Sequence, residues 1–116
     1  MSAGLSMDDE VFWGTNGAVE ACVEALAVHA AARLGADDPL VAFLRDELQG
    51  FFPGKVVFLE EYVRDDARRE QFVEILDAAT DQLLRDGVFT DYGRNWVTSV
   101  VAQFRAKLAR KVPAGS

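Results

Sequence analysis

The chain has 116 residues, half of them hydrophobic, with one cysteine and a formal net charge of −7. The hydrophobic content argues against a disordered chain, and the lone Cys22 excludes an intrachain disulfide. No apolar run approaches the ~20 residues of a membrane-spanning helix. The negative charge makes a nucleic acid an unfavourable partner, because it repels phosphate.

The length predicts a single domain over residues 1–116. Residues 1–10 include three consecutive acidic residues and lack the basic start and apolar core of a signal peptide. We expect residues 1–10 and 112–116 to be flexible ends. Together with the single cysteine, these features favour a cytoplasmic protein.

A glycine-rich segment, Gly14-Thr15-Asn16-Gly17, precedes the first apolar run, and Gly93-Arg94-Asn95 repeats its Gly-x-Asn pattern. A phosphate-binding loop would need a longer glycine spacing followed by lysine, or a Gly-x-Gly-x-x-Gly turn after a strand. The pattern instead predicts that Asn16 and Asn95 are helix N-caps, each preceded by a glycine that turns the chain.

The first two predicted helices have clear ends. Apolar residues at helical spacing predict a helix over residues 17–34, and they cover so much of its circumference that we expect a central helix, ended by Gly35. The second helix is predicted to begin at Asp38-Pro39, where an N-cap precedes a proline in the first helical position, and to end at Gly50.

Residues 55–63 are ambiguous. Val56-Val57-Phe58-Leu59 has the composition of a strand, but two-fold alternation would place Glu60 on the same face as Phe58. Helical spacing separates the apolar side chains from Glu60 and Glu61 more cleanly, which favours a helix.

Two further helices are predicted over residues 66–86 and 95–111 from apolar residues repeating every three or four positions. Four or five helices with short connections predict an all-α bundle. The alternative is an α+β fold with short strands at 11–13, 56–59 and 88–90.

No constellation predicts catalysis, a metal site or a cofactor. His29 is the only histidine, and no second metal ligand lies one turn away from it. Cys22 lies in an apolar stripe, where its thiolate would be disfavoured. We therefore expect His29 to be partly buried at the edge of the core and Cys22 to be a core residue.

Two groups of residues are candidates for binding. One is an acidic cluster, which is either a solvated face of the protein or a set of paired carboxylates for acid–base chemistry: Glu60, Glu61, Asp65 and Asp66. The other is a set of aromatic residues at the ends of predicted helices, where they either bind a partner or close the ends of the bundle: Trp13, Phe51, Phe52 and Tyr92.

Charge is unevenly distributed, because the chain after Asp91 has no acidic residue and five basic ones: Arg94, Arg105, Lys107, Arg110 and Lys111. These cations would either stabilise the C-terminal end of a helix or orient a charged partner.

These features favour a non-enzymatic interaction domain that acts by self-association or by binding a basic protein partner, as an inhibitor or immunity-type protein covers a basic nuclease surface. The alternative is a small-molecule-binding protein or enzyme. Its pocket would lie between helices and be lined by Trp13, Tyr62, Trp96 and carboxylates.

Overall fold

The computed structural model describes residues 2–8, 10–86 and 91–110. Three strands join the helices, so the fold is α+β and the all-α bundle predicted from the sequence is wrong. The elements in chain order are β1 Ser2–Met7, β2 Glu10–Thr15, α1 Asn16–Leu34, α2 Pro39–Gln49, β3 Val56–Phe58, a 3-10 helix Glu60–Tyr62, α3 Asp66–Asp86, α4 Asp91–Trp96, a π-helical segment Val97–Val101 and α5 Ala102–Ala109.

The strands form one mixed sheet in the order β2-β1-β3. β1 pairs antiparallel with β2, with Met7 opposite Glu10, and it pairs parallel with β3, with Gly4 beside Val56. Asp8 begins the connection between β1 and β2 with a φ of 52°. Residues 1–10, expected to be a flexible end, therefore contain the central strand, because β1 has a pairing partner on each side.

The segment predicted as a helix over residues 55–63 is instead β3 followed by the short 3-10 helix. Its Val57 is buried while Phe58 is exposed, as strand alternation requires. The helical interpretation failed because Val56 and Phe58 are apolar on the outward side, which concealed the two-fold pattern. The alternative strand at 11–13 lies within β2, whereas 88–90 lies outside the described residues.

The first three long helices follow the prediction closely. α1 buries residues around most of its circumference and ends at Gly35, whose φ of 91° is left-handed. α2 starts as predicted, with the Asp38 carboxylate accepting the Leu40 backbone N–H at 3.0 Å and Pro39 in the first turn. α3 covers residues 66–86, and every apolar residue of its predicted stripe is buried.

Both predicted asparagine caps are wrong. Thr15 caps α1, because its hydroxyl oxygen accepts the Ala18 backbone N–H at 3.2 Å. Asn16 begins α1 itself, and its side-chain oxygen accepts the Gly54 N–H at 3.2 Å. Asn95 lies inside α4, since the C-terminal helix starts at Asp91 and continues through the π-helical segment to Ala109.

The core lies between one face of the sheet and the helices. α1 packs against β1 and β2, and the C-terminal helix reaches the same side through the edge-to-face contact of Phe12 with Phe104, whose ring centroids are 5.1 Å apart. α3 packs behind both, and Phe72 meets Phe104 edge to face. In the described part of the chain, no helix is both long enough and apolar enough to cross a bilayer.

Candidate interaction surface

The sheet has a second face, opposite to the one that α1 and the C-terminal helix cover. Alternation along each strand, combined with the pairing register, assigns six neighbouring side-chain positions to this outer sheet face. They are Gly4, Ser6, Val11, Trp13, Val56 and Phe58.

The centre of the outer sheet face is covered by its own flanking side chains. A Cβ atom on Gly4 would lie 2.6 Å from Val11 Cγ1 and 3.3 Å from Trp13 Cε3, so these side chains close over the glycine. Ser6 is paired with Val11 on one side and Phe58 on the other, and it is also buried. The small central residues thus lie in a shallow depression between two apolar ridges. One ridge is Val11 with Trp13 on β2, and the other is Val56 with Phe58 on β3.

The ridges carry the exposed apolar area. Trp13 and Phe58 are 52% and 64% exposed, respectively, although residues of this kind are usually covered. None of the six residues is charged. Because aromatic residues are enriched where proteins bind one another, two exposed rings on one uncharged sheet face mark a candidate docking surface.

Trp13 is exposed through its ring but held through its backbone. The buried Trp96 donates its indole N–H to the Trp13 carbonyl oxygen at 2.8 Å, and its ring lies against Gly14, where a Cβ would approach Nε1 to 2.6 Å. The C-terminal helix therefore fixes β2 at this point. A partner meeting the Trp13 ring would meet a pre-positioned group, which lowers the entropic cost of binding.

Two of the four predicted acidic residues lie beside this face. Glu60 and Glu61 are exposed and follow β3, so they lie at the end of the sheet where β1 reaches Met7. Arg64 approaches Glu61 only to 4.0 Å, with both side chains exposed, so the pair neutralises little charge.

The other two acidic residues lie in the turn into α3. Asp65 accepts the Arg68 backbone N–H at 2.7 Å, which gives it the structural role of a helix cap. Asp66 is the exposed first residue of α3. The predicted acidic cluster is thus solvated, and it divides into an end of the sheet and a helix start.

The predicted aromatic set divides as well. Phe52 is exposed in the loop before β3, with the Lys55 ammonium 5.0 Å from its ring centroid, whereas Phe51 is half-buried against the core. Tyr92 is exposed on α4. Only Trp13 of the four lies on the outer sheet face.

Phe58 was missed by sequence reasoning, although it is the most exposed aromatic side chain among the described residues. The helical spacing predicted for residues 55–63 places it on the apolar side of a helix. The strand-like composition of Val56-Val57-Phe58-Leu59, rich in β-branched and aromatic residues, was the signal that could have identified it.

Two of the five basic C-terminal residues, Arg105 and Lys107, are paired with carboxylates, and Lys111 lies outside the described residues. Arg105 donates to both carboxylate oxygens of Asp77, at 2.6 and 3.0 Å, and Lys107 lies 2.9 Å from Glu10 Oε1. These cations therefore join α5 to α3 and to β2, which leaves less positive charge to orient a partner.

A cleft of about 250 Å³ between α3 and α5 contains the buried side chain of Arg69. Its guanidinium donates to the Asp8 carboxylate at 2.7 Å and to the Val63 carbonyl at 2.9 Å. These bonds attach the turn between β1 and β2 to α3, so the buried cation has a structural role.

The described side chains that could act as nucleophiles or metal ligands do not form a cluster. Burial in the core raises the pKa of the Cys22 thiol to about 12, which disfavours a nucleophilic thiolate. His29 is half-buried and hydrogen-bonded through Nε2 to Gln82 Oε1. Within residues 2–8, 10–86 and 91–110, no group of three or more His, Cys, Asp or Glu side chains could hold a metal ion.

The aromatic pocket of the alternative function does not form from its expected residues. Trp13 faces outward, Trp96 is buried against Gly14, and Tyr62 stacks on Phe43 with ring centroids 4.6 Å apart. These three predicted lining residues point into different environments. The outer sheet face with its acidic end is therefore the stronger candidate site.

Comparison with protein-family models, with curated proteins and with solved structures found no match to this chain. Its function must therefore be inferred from its own exposed residues.

Proposed function

We propose that this chain is a non-enzymatic interaction domain that binds a basic segment of a partner protein on its outer sheet face. The observation that supports this most is the pair of exposed rings, Trp13 and Phe58, on a sheet face without a charged residue. Exposed aromatic residues on a rigid scaffold are the usual anchors of protein interfaces.

Charge supports a basic partner over a second copy of the chain. Glu60 and Glu61 lie at one end of the outer sheet face, and the chain carries a formal net charge of −7. Two copies would repel one another, whereas a basic segment would be attracted to the acidic end. The apolar ridges would supply the contact area and the glutamates the steering.

The test is a selection of random peptides displayed on phage against the immobilised protein. We expect the selected peptides to combine lysine or arginine with apolar residues. Trp13→Ala combined with Phe58→Ser should weaken their binding by about tenfold or more, as loss of interface aromatics does. The matched control is Val28→Ser, which alters an apolar side chain of α1 that is 57% exposed.

Charge reversal provides a second arm. Glu60→Lys combined with Glu61→Lys should slow association, and the effect should diminish as salt is raised. Glu20→Lys with Glu24→Lys changes the same charge on the exposed side of α1 and should leave binding within about twofold, because rim charges act locally. Selected peptides that are acidic, or that bind the aromatic variant equally well, would contradict the proposal. A dimer that dissociates on Trp13→Ala with Phe58→Ser would instead identify a second copy as the occupant.

A further inference from the structure

Both outer strands of the sheet have an edge with no further strand among the described residues, but their outward backbone groups are not equally occupied. On β2, the outward-pointing carbonyl of Trp13 accepts the Trp96 indole N–H. On β3, no strand of the described chain pairs on the side away from β1. β3 is therefore the less obstructed of the two edges.

The register shows which groups of β3 point outward. β1 donates from the Gly4 N–H to the Lys55 carbonyl at 3.0 Å and accepts the Leu59 N–H at the Ser6 carbonyl, also at 3.0 Å. In a parallel ladder with Gly4 beside Val56, these bonds assign the backbone groups of Val57 to β1. The N–H and C=O groups of Val56 and Phe58 must then point away from the sheet.

These outward groups have no hydrogen-bond partner among the described residues. Their side chains lie on the outer sheet face, and Phe58 is one of its two exposed rings. Backbone donors and acceptors, an apolar ridge and the acidic residues Glu60 and Glu61 thus occur along one short edge. A partner in extended conformation can meet all three, since its backbone pairs while alternate side chains face the ridge.

We propose that the basic partner segment binds as a fourth strand along β3, extending the sheet to the order β2-β1-β3-partner. This rests on the proposed function and specifies its ligand as an extended peptide. The strand has only three residues, so the two outward-facing ones offer at most four hydrogen bonds. Binding therefore depends jointly on the backbone pairing, the Phe58 ring and the acidic end.

The probe is a dye-labelled synthetic peptide in which valine alternates with threonine between terminal lysines, and its binding is measured by fluorescence anisotropy. N-methylation of every second residue removes the donors on one side of an extended strand. Two peptides are compared, one methylated at the odd and one at the even positions, and these are the two phases. In the phase whose blocked donors face β3, binding should weaken by about tenfold or more. In the other phase the blocked donors face solvent, and binding should stay within about twofold.

A substitution in β3 of the protein, rather than in the peptide, tests the same backbone pairing. Val56→Pro removes an outward N–H while keeping both exposed rings and both glutamates, and proline is tolerated on edge strands with the donor side facing solvent. It should weaken peptide binding by about tenfold or more, whereas Val56→Thr, which keeps the N–H, should bind within about threefold. Circular dichroism and melting temperature would show whether the proline variant is folded. The N-methylated peptides test the unaltered protein in either case.

The outcomes separate this inference from the proposed function. Equal binding in both N-methylation phases, with the loss caused by Trp13→Ala and Phe58→Ser retained, would overturn strand addition and leave surface docking standing. Phase-dependent binding that is insensitive to those aromatic substitutions would support strand addition and overturn docking on the outer sheet face. Absence of binding by the probe, or a dimer abolished by Val56→Pro, would overturn strand addition.

Discussion

The inner and outer faces of the sheet shield the central strand β1 from water in different ways. On the inner face, Leu5, Met7 and Phe12 are buried by α1 and the C-terminal helix. On the outer face, Gly4 and Ser6 are also buried, although they lie on the side of the sheet away from α1. There, the small side chains of the central strand lie between the larger Val11, Trp13 and Phe58 of the flanking strands, which shield them from water.

The difference shows how a small domain can keep an apolar surface available. Burial on the inner face removes large side chains from water, and this stabilises the fold. The exposed rings of the outer face gain little of that stabilisation, because about half or more of each remains in contact with water. They are therefore free to contribute binding energy without a large cost to folding.

The largest expected difference between the two sides is in thiol reactivity. Cys22 is fully buried with a pKa raised to about 12, so iodoacetamide at pH 8 should modify it only when the protein unfolds. A thiol introduced by Phe58→Cys should react in the folded state, at least about 1,000 times faster if unfolding costs ~5 kcal/mol. Mass spectrometry over time distinguishes the two sites. Comparable rates would show that the helical side opens readily.

Truncation of a large side chain should reveal the next difference. Leu5→Ala leaves a cavity beneath the helices and should lower the free energy of unfolding by about 2–5 kcal/mol. Phe58→Ala should change it by about 0.5 kcal/mol or less, as substitutions of surface residues usually do. Urea denaturation of both variants measures the contrast. Similar losses would contradict the placement of Phe58 on a solvent-exposed face.

Substitution by alanine should have opposite effects on stability at the two glycines that flank Thr15 and Asn16. Gly14→Ala would place a Cβ 2.6 Å from the buried Trp96 indole and should cost about 1–3 kcal/mol by overpacking. Gly17→Ala meets no atom within 4 Å and should stabilise the protein by about 0.4–1 kcal/mol. Thermal unfolding monitored by circular dichroism tests both. A neutral Gly14→Ala would show that Trp96 does not hold β2 rigidly.

The smallest difference concerns the junction between the sheet and α1. Thr15→Ala removes the cap and should cost about 0.5–2 kcal/mol. Asn16→Ala loses only the exposed bond to the Gly54 N–H and should cost about 0.5 kcal/mol or less. Denaturant titration of the two variants gives the comparison. A larger effect at Asn16 would mean that the loop before β3 depends on this bond.

The candidate site was partly predictable. Trp13, Glu60 and Glu61 were identified from residue type and position, whereas Phe58 was not. Because the outer sheet face is itself apolar, strand alternation at Val56 to Phe58 did not produce the usual polar and apolar pattern. The feature that hid the strand is therefore the one that marks the proposed surface.

The sequence by itself determined the helices whose ends are local. Asp38 and Pro39 define the start of α2, Gly35 ends α1, and the apolar repeat defines α3 over residues 66–86. Each of these signals acts within a few residues, because helical hydrogen bonds and caps connect close neighbours along the chain.

Only the tertiary structure decided the sheet. The residues of β1, Ser-Ala-Gly-Leu-Ser-Met, carry little intrinsic strand preference. The Gly4 position is closed over by the side chains of Val11 and Trp13, which β2 supplies. One of the pairing strands, β3, is about fifty residues away along the sequence, so no local pattern could identify it. A strand is stabilised by its neighbours, and those neighbours exist only in the folded chain.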